Sequence, residues 1–583
     1  MHSSLHRSRL AFCAVVALSV SVFGLAAHAA SAPVPAYAAI TPTMENKTIT
    51  LTGHDLTIEQ VIDIARHGAK VKLSEEAIER AEAGRGLLAQ GDEEGMTIYG
   101  TNRGGGALRE VVQKRDRSET PPPNRNPGSG ARNGILPEIN EEELVRAFIV
   151  IQMNHVAYNA GGRAFLEMVC EMLNRRVTPL MYSVGTLGEG DLFLTSNYTT
   201  PMYGRGTAYY KGVRMTGAEA LQKAGLKPLV NNAGGGGGTT MAYGTAITVL
   251  LVDEAQHALE WTDMIYAMDL LGMNSSVTPL STIVQSKHPV PWIKWVAAKT
   301  RETLKGTYLY EDDPHRILQD PESLRAGYIR QGSAWKAWAA LRDSVQLQMN
   351  SGEQNPAVVL DAKPEDSWEL ATPWLMRYHV KGGELSKGRS GYVVSNANWD
   401  PYPMTNDIEA FNVAFANMAL AVASRIERFS DRGPVAFFTG IKPTDVLTPE
   451  QHRLSPSMSE PFFNYLDAWK EMQTLTQSLV PDSNGSDWGV ADIEANTRVK
   501  ASRGRQATDR FMHILSYDLL HATYWLDVRK AQDAKRNFGA AATGVWQAFR
   551  KDLPWQMEPD KREDVPYGLV AFRFLMNNEA SQF

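Results

Sequence analysis

Residues 408–429 read IEAFNVAFANMALAVASRIERF, and their spacing decides what kind of fold this chain builds. Phe411, Phe415, Met418, Val422 and Ile426 return every three or four positions, which puts them on one face of a helix. Alanines fill the positions between them, so a second helix can approach closely. The same rhythm recurs elsewhere. Leu144, Phe148, Ile151, His155 and Tyr158 carry it, and after Gly161-Gly162 so do Phe165, Val169, Met172 and Leu173, which predicts a broken helical segment over 141–174. Residues 511–531 repeat it with Ile514, Leu519, Leu520, Tyr524 and Leu526. Over 55–88, Thr57 with Gln60 makes a capping box and Ser74 precedes Glu75 and Glu76, so two helices start there. The chain is predicted to be mainly α, a bundle of long helices, and these stripes are read as core rather than chemistry.

The first thirty residues have a different logic. Arg7 and Arg9 precede an apolar run from Leu10 to Ala27, and Ala27-His28-Ala29 supplies a small-x-small cleavage pattern. Residues 1–29 are therefore expected to be a secretory leader, giving a periplasmic or secreted protein with no stable membrane anchor. Of the two cysteines, Cys13 leaves with the leader, and Cys170 alone cannot form an internal disulfide. A net charge of -6 gives no basic footprint for nucleic acid. No HExxH, paired CxxC or carboxylate-rich calcium loop is present, so no metal is expected. Residues 118–134, rich in Pro and Gly, and the glycine run 234–238, which lacks the Lys-Ser/Thr ending of a phosphate loop, are read as irregular.

Five segments put polar groups among the helices: IYGTNRGGG (98–106), SVGTLGEGDL (183–192), LQDPESLR (318–325), EQNPAVV (353–359) and ANWDPYP (397–403). In that order they resemble the aromatic amino acid ammonia-lyase family, which includes the histidine and phenylalanine enzymes. GRGTAYYKGVRMTGAEALQKAGLKPL (204–229) resembles the hairpin and helix that follow the family's catalytic loop. The resemblance implies a long-helix bundle of the ammonia-lyase and fumarase-like type. It would have a loop-rich active-site portion over 45–240, a central bundle with C-terminal helices over 241–583, and a homotetramer whose sites use loops from three subunits.

The resemblance also assigns roles. Tyr99, in Tyr99-Gly100-Thr101-Asn102-Arg103-Gly104, matches the family's catalytic base, and Arg325 matches the arginine that binds the substrate carboxylate. Asn355 matches the Asn of Asp-Asn-Pro, and Glu494 falls on a glutamate used near the leaving amine. Arg103, Glu322, Asn398 and Asp400 lie at the same motifs. Arg103, Glu322 and Asp400 stand where the family usually has other residues, so they become candidates for substrate choice. Tyr243-Gly244-Thr245 stands where the family has Asn-Gly-Thr.

One departure governs the expected chemistry. Ordinary members cyclise Ala-Ser-Gly before Asp-Leu into a methylidene-imidazolone electrophile. Anchoring on Asp191-Leu192 puts Gly188-Glu189-Gly190 there, whereas anchoring on Ser183-Val184-Gly185 puts Thr186-Leu187-Gly188 there. Neither has a central serine, so the sequence predicts a site without that cofactor. The expected function is an exported lyase performing a cofactor-independent elimination or addition on a small aromatic, carboxylate- or carbonyl-bearing substrate. In it Tyr99 is the base and Glu189 or Glu494 the acid. Three other readings stay open: an isomerase, hydratase or cyclase using the same groups in another order, a conventional ammonia-lyase with an electrophile made differently, and a binding protein without catalysis. Glu189 could also simply cap its turn, Arg325 form a structural ion pair, and Tyr99 tether its loop.

Overall fold

A computed structural model describes residues 36–113, 134–188, 190–230, 240–429, 439–455, 462–479 and 486–583. The leader, the glycine run, Glu189 and nearly all of the Pro/Gly-rich segment lie outside the described residues. In chain order the main helices are α1 (Ile58–Ala65), α2 (Glu75–Glu93), α3 (Glu142–Tyr158), α4 (Arg163–Asn174), α5 (Leu192–Thr199), α6 (Gly217–Ala224) and α7 (Ala242–Met273). They continue with α8 (Pro291–Thr303), α9 (Glu322–Arg325), α10 (Gly327–Gln348), α11 (Tyr402–Arg428), α12 (Phe462–Leu475), α13 (Thr497–Gln532), α14 (Ala540–Asp552) and α15 (Tyr567–Asn577).

Among the described residues three small sheets decorate the helices: parallel β1 (Thr48–Leu51) and β2 (Lys70–Leu73), antiparallel β3 (Val177–Pro179), β4 (Thr207–Tyr210) and β5 (Val213–Thr216), and β6 (Ala357–Leu360), β7 (His379–Val380) and β8 (Gly391–Val394) in the order β6-β8-β7. The capping box at Thr57 and the Ser74 cap are in place, and Gly162 starts α4 after the break. The hairpin and helix expected over 204–229 are β4, β5 and α6.

The core is a rod of long helices. α7 is buried on nearly every face, as a helix at the centre of a bundle must be. The pairs Gly244/Thr497, Leu251/Gly504 and Gly272/Trp525 keep one sequence offset, so α7 and α13 run parallel along their length. A Cβ on Gly504 would sit 2.8 Å from Leu251, so the glycine sets how closely the two helices approach. α11 follows α13 in the same direction: the Thr405 and Thr497 hydroxyls lie 2.8 Å apart near their starts, and Arg425 meets Asp518 at 2.6 Å near the end of α11. α10 runs the other way, since Trp338 donates to Val252 O at 2.8 Å and Gln331 to Thr262 O at 3.3 Å.

Burying Phe411, Phe415 and Ile426 contributes roughly 1.5–3 kcal/mol each. The consequence for function is geometric: the first turns of α7, α11 and α13 and the last turn of α10 share one end of the rod. Among the described residues no helix is long and apolar enough to cross a membrane.

Candidate active site

Three helix starts at one end concentrate N–H groups that their own helices cannot satisfy. At α7, Met241 N–H donates to Glu353 Oε2 at 2.6 Å, Ala242 N–H to Thr240 Oγ1 at 3.1 Å, and Tyr243 N–H to Asp191 Oδ2 at 2.7 Å. Two fully buried carboxylates therefore cap one helix. Asp191 also receives the Thr186 hydroxyl and donates its own N–H to Thr240 O at 2.6 Å. Burial pushes its carboxyl up to about 7; the Thr186 and Tyr243 hydrogen bonds oppose the shift, and the charge of Glu353 adds to it. Glu353 takes the Thr240 hydroxyl at 3.1 Å and the Gln348 amide, with His155 Nδ1 3.3 Å away. His155 Nδ1 also lies 3.2 Å from Thr240 Oγ1, and its Nε2 lies 3.3 Å from Gln348 O.

The loop before Asp191 is laid across the start of α13. Asn496 N–H donates to Leu187 O at 2.9 Å, and Gly190 N–H points at Met241 Sδ at 3.1 Å. Gly188 has φ +89°, and a Cβ there would sit 2.6 Å from Asn496 N, so only glycine allows this approach. Asn496 itself takes φ 54°, a left-handed conformation that asparagine tolerates. Glu494 is buried two residues before this contact, which brings it to the loop within one chain.

Tyr99 sits in a turn organised by Asn102. The Asn102 carboxamide accepts Ile98 N–H at 2.8 Å and donates to Asp92 Oδ1 and Met96 O, both at 2.7 Å. The Tyr99 hydroxyl accepts Gly106 N–H at 2.8 Å, leaving the phenol's own proton for another acceptor. Arg103, half-buried, bridges to Val112 and closes the loop. Ile98 packs with Leu87, Val358 and Val393, so the Tyr99 loop rides on the sheet that follows Asn355. Asn355 Oδ1 accepts Asn396 N–H at 3.2 Å, and Asn396 Nδ2 donates to Gln354 O at 3.0 Å. Asn398 is exposed, its N–H donated to Asn396 Oδ1 at 2.9 Å. Asp400 caps the start of α11 through Tyr402 N–H at 3.0 Å, and burial raises its pKa.

Other candidates lie elsewhere. The Tyr243 ring is buried edge-on to Phe148, with centroids 6.3 Å apart, so this residue serves the site through its N–H rather than its side chain. Arg325 is at the far end of the rod: Tyr266 donates to Leu324 O at 2.6 Å, and Tyr266 lies about 35 Å along α7 from Tyr243 at 1.5 Å rise per residue. There Arg325 donates to exposed Glu322 at 3.2 Å, and its Nε has no hydrogen-bond partner among the described residues. A single chain therefore does not gather Tyr99, Asn355 and Arg325 around one substrate. Sequence reasoning passed over Glu353, Thr240 and Thr186, and counted His155 as core. A histidine inside an apolar stripe and a glutamate inside a quoted motif were the available signals.

Residues 56–551 match the family described as aromatic amino acid lyase. The chain belongs to that family. It is 30% identical over 523 residues to a histidine ammonia-lyase of Treponema denticola, covering 88% of this chain and 93% of that one. It is 26% identical over 530 residues to a histidine ammonia-lyase of Stigmatella aurantiaca, covering 89% and 94%. Two solved structures share the fold. The Treponema denticola ergothionase in complex with desmethyl-ergothioneine sulfonic acid has a TM-score of 0.73 at 22% identity, covering 91% of this chain and 99% of that one. The Pantoea agglomerans phenylalanine aminomutase has a TM-score of 0.74 at 18% identity, covering 92% and 100%. This protein is a lyase with the mainly helical bundle of that family.

Membership corrects one expectation. The family carries the methylidene-imidazolone group, so the prediction of a cofactor-free site does not stand. The residues in the loop still differ from the tripeptide that the family cyclises. The Ser183 hydroxyl lies outside the glycine cluster and donates to Pro137 O at 3.3 Å, the Thr186 hydroxyl is held by Asp191, and neither register centres on serine.

Proposed function

We propose that this lyase is exported and eliminates an amine from a small aromatic substrate bearing a carboxylate or carbonyl, with Tyr99 as the base. Tyr99 Oη, its own proton passed to another acceptor, takes a proton from carbon; the C–H electron pair becomes the new double bond as the C–N bond breaks with its pair on nitrogen, and the departing amine takes a proton from Glu494. Arg325 binds the carboxylate through its planar fork, supplied by another copy in a homotetramer. The single observation that carries this reading is the laying of Leu187 and Gly188 across the start of α13, next to buried Glu494, with Asp191 over the capped start of α7. Export rests on the leader pattern of residues 1–29.

The test is a panel of aromatic amino acids and their N-methylated forms, followed by amine release and by absorbance of the conjugated product. Turnover of at least one member, lost in Tyr99→Phe, is expected. The shared site is tested by mixing unfolded Tyr99→Phe and Arg325→Ala chains and refolding them together. Activity returning only in the mixture supports sites built across copies; no recovery from two chains that each assemble normally refutes it.

A further inference from the structure

Well away from the site, roughly 25 Å along α7 from Tyr243 at 1.5 Å per residue, an outer face of the bundle opens into a second cleft. Its volume is about 580 Å³, the size of a small-molecule site. Four tryptophans form its wall: Trp292 and Trp295 from α8, and Trp335 and Trp338 from α10. They meet edge to face in succession, with ring centroids 5.7, 5.4 and 5.3 Å apart. Two indole N–H groups are spent inward, Trp335 on Asp263 at 3.0 Å and Trp338 on Val252 O at 2.8 Å, so these rings present carbon rather than donors to a ligand. Trp295 is 43% exposed. Trp292 and Trp338 are partly exposed beside Trp295 while Trp335 forms the buried floor, and such a continuous aromatic surface is more than a lone exposed side chain and calls for an occupant.

Two opposite charges line the same cleft without pairing with each other. Lys299 lies over the Trp295 and Trp335 rings at 5.5 and 5.3 Å and donates to Asp263 at 2.8 Å. That uses one of three ammonium donors, and Lys299 still lines the cleft with its side chain 38% exposed. Asp263 is fully engaged, accepting Gln331 at 3.1 Å besides Lys299 and Trp335. Glu260 accepts Gln256 Nε2 at 2.9 Å and makes no ion pair among the described residues. A cation alone would meet Lys299, and an anion alone would meet Glu260. A ligand carrying both charges and a flat apolar body satisfies all three features.

We propose that this cleft binds a free aromatic amino acid as its zwitterion, with the carboxylate on Lys299, the ammonium on Glu260 and the ring among the tryptophans. The inference does not depend on the chemistry assigned to Tyr99. The probe is L-phenylalanine, titrated against tryptophan fluorescence of the full-length protein excited where phenylalanine is silent. A saturable change is expected, with phenethylamine and 3-phenylpropionate each binding at least tenfold more weakly because each lacks one charge. Glu260→Gln and Trp295→Ala should each weaken the phenylalanine response at least tenfold while turnover and oligomeric mass stay as in the wild type, and Tyr99→Phe should leave it intact. Three results would overturn the proposal: phenethylamine binding as tightly as phenylalanine, which makes the cleft a cation cage; a response insensitive to Glu260→Gln; or a change of oligomeric mass in Trp295→Ala, which makes the cleft a contact between copies.

Discussion

Replacing Asp191 with asparagine should make the protein more stable at neutral pH and leave it little changed in acid. The substituted side chain keeps the shape and both hydrogen bonds, its amide oxygen accepting Tyr243 N–H and its amide nitrogen donating to the Thr186 hydroxyl. What the substitution removes is a charge that burial disfavours. The Asp191 carboxyl rises from 3.8 to about 7 on folding, so between those values the folded chain holds a proton that the unfolded chain has lost. Stability from this group is therefore complete below about pH 4 and is lost as pH climbs through about 7. Three units at about 1.4 kcal/mol each put the full loss near 4 kcal/mol, and the two units between pH 5 and pH 7 account for about 3 kcal/mol of it. The assay is urea unfolding of wild type and Asp191→Asn at pH 5 and pH 8. The variant's advantage should grow by about 3 kcal/mol between them. A constant difference would refute the reasoning, because it would mean that the Thr186 hydroxyl, the Tyr243 N–H and the helix start keep Asp191 ionised against the cost of burial.

Tyr99→Phe should lower kcat by about 10²–10⁴, the range for losing a general base, while the lost hydrogen bond from Gly106 N–H costs only about 1 kcal/mol in unfolding free energy. Gly188→Ala forces a Cβ to within 2.6 Å of Asn496 N at a left-handed φ, so steady-state kinetics should show kcat falling with the global unfolding midpoint changing little, since the loop lifts off α13 without disturbing the core. Glu353→Ala leaves Met241 N–H, the Thr240 hydroxyl and the Gln348 amide without their acceptor beside His155. A loss of about 3–5 kcal/mol is expected by urea denaturation, and Glu353→Gln should recover most of it by restoring an acceptor.

How much of this was legible in the sequence follows from where periodicity is visible. The break at Gly161-Gly162 and the stripe from Phe411 to Ile426 were readable because one face is apolar and the other is not. α13 was read only over 511–531, although it begins at Thr497. Its first turns pack through Ala501, Gly504 and Ala507, whose small side chains give almost no apolar signal even though they set how closely α7 approaches. α7 gave no helical period for the opposite reason: it is apolar all round, and a residue pattern with no polar face has no phase. In the site, the Tyr99 segment was picked out by its motif, and Asn102 builds its turn from neighbours within the same few residues. The Glu353 cap was not, because its partners at Thr240 and Met241 lie more than a hundred positions away in sequence and meet it only once the rod has formed.

The same rod explains why motifs that look like one site in the sequence stand apart in the chain. Arg325 precedes α10 and Asn355 follows it, with only thirty positions between them. The helix from Gly327 to Gln348 is 22 residues, about 33 Å long at 1.5 Å per residue, and it is stiffened by packing against α7, α8 and α11. A straight helix of that length holds its two flanking motifs at opposite ends of the bundle whatever the loops do. No rotamer change or loop movement of a few ångströms brings the Arg325 guanidinium to Asn355 or to the 185–191 loop of its own chain. If both ends act on one substrate, a second copy must lie alongside so that the start of its α10 meets the end of this one. At that far end Arg325 Nε has no hydrogen-bond partner among the described residues, and its guanidinium meets only the exposed Glu322, which leaves it accessible to whatever lies alongside.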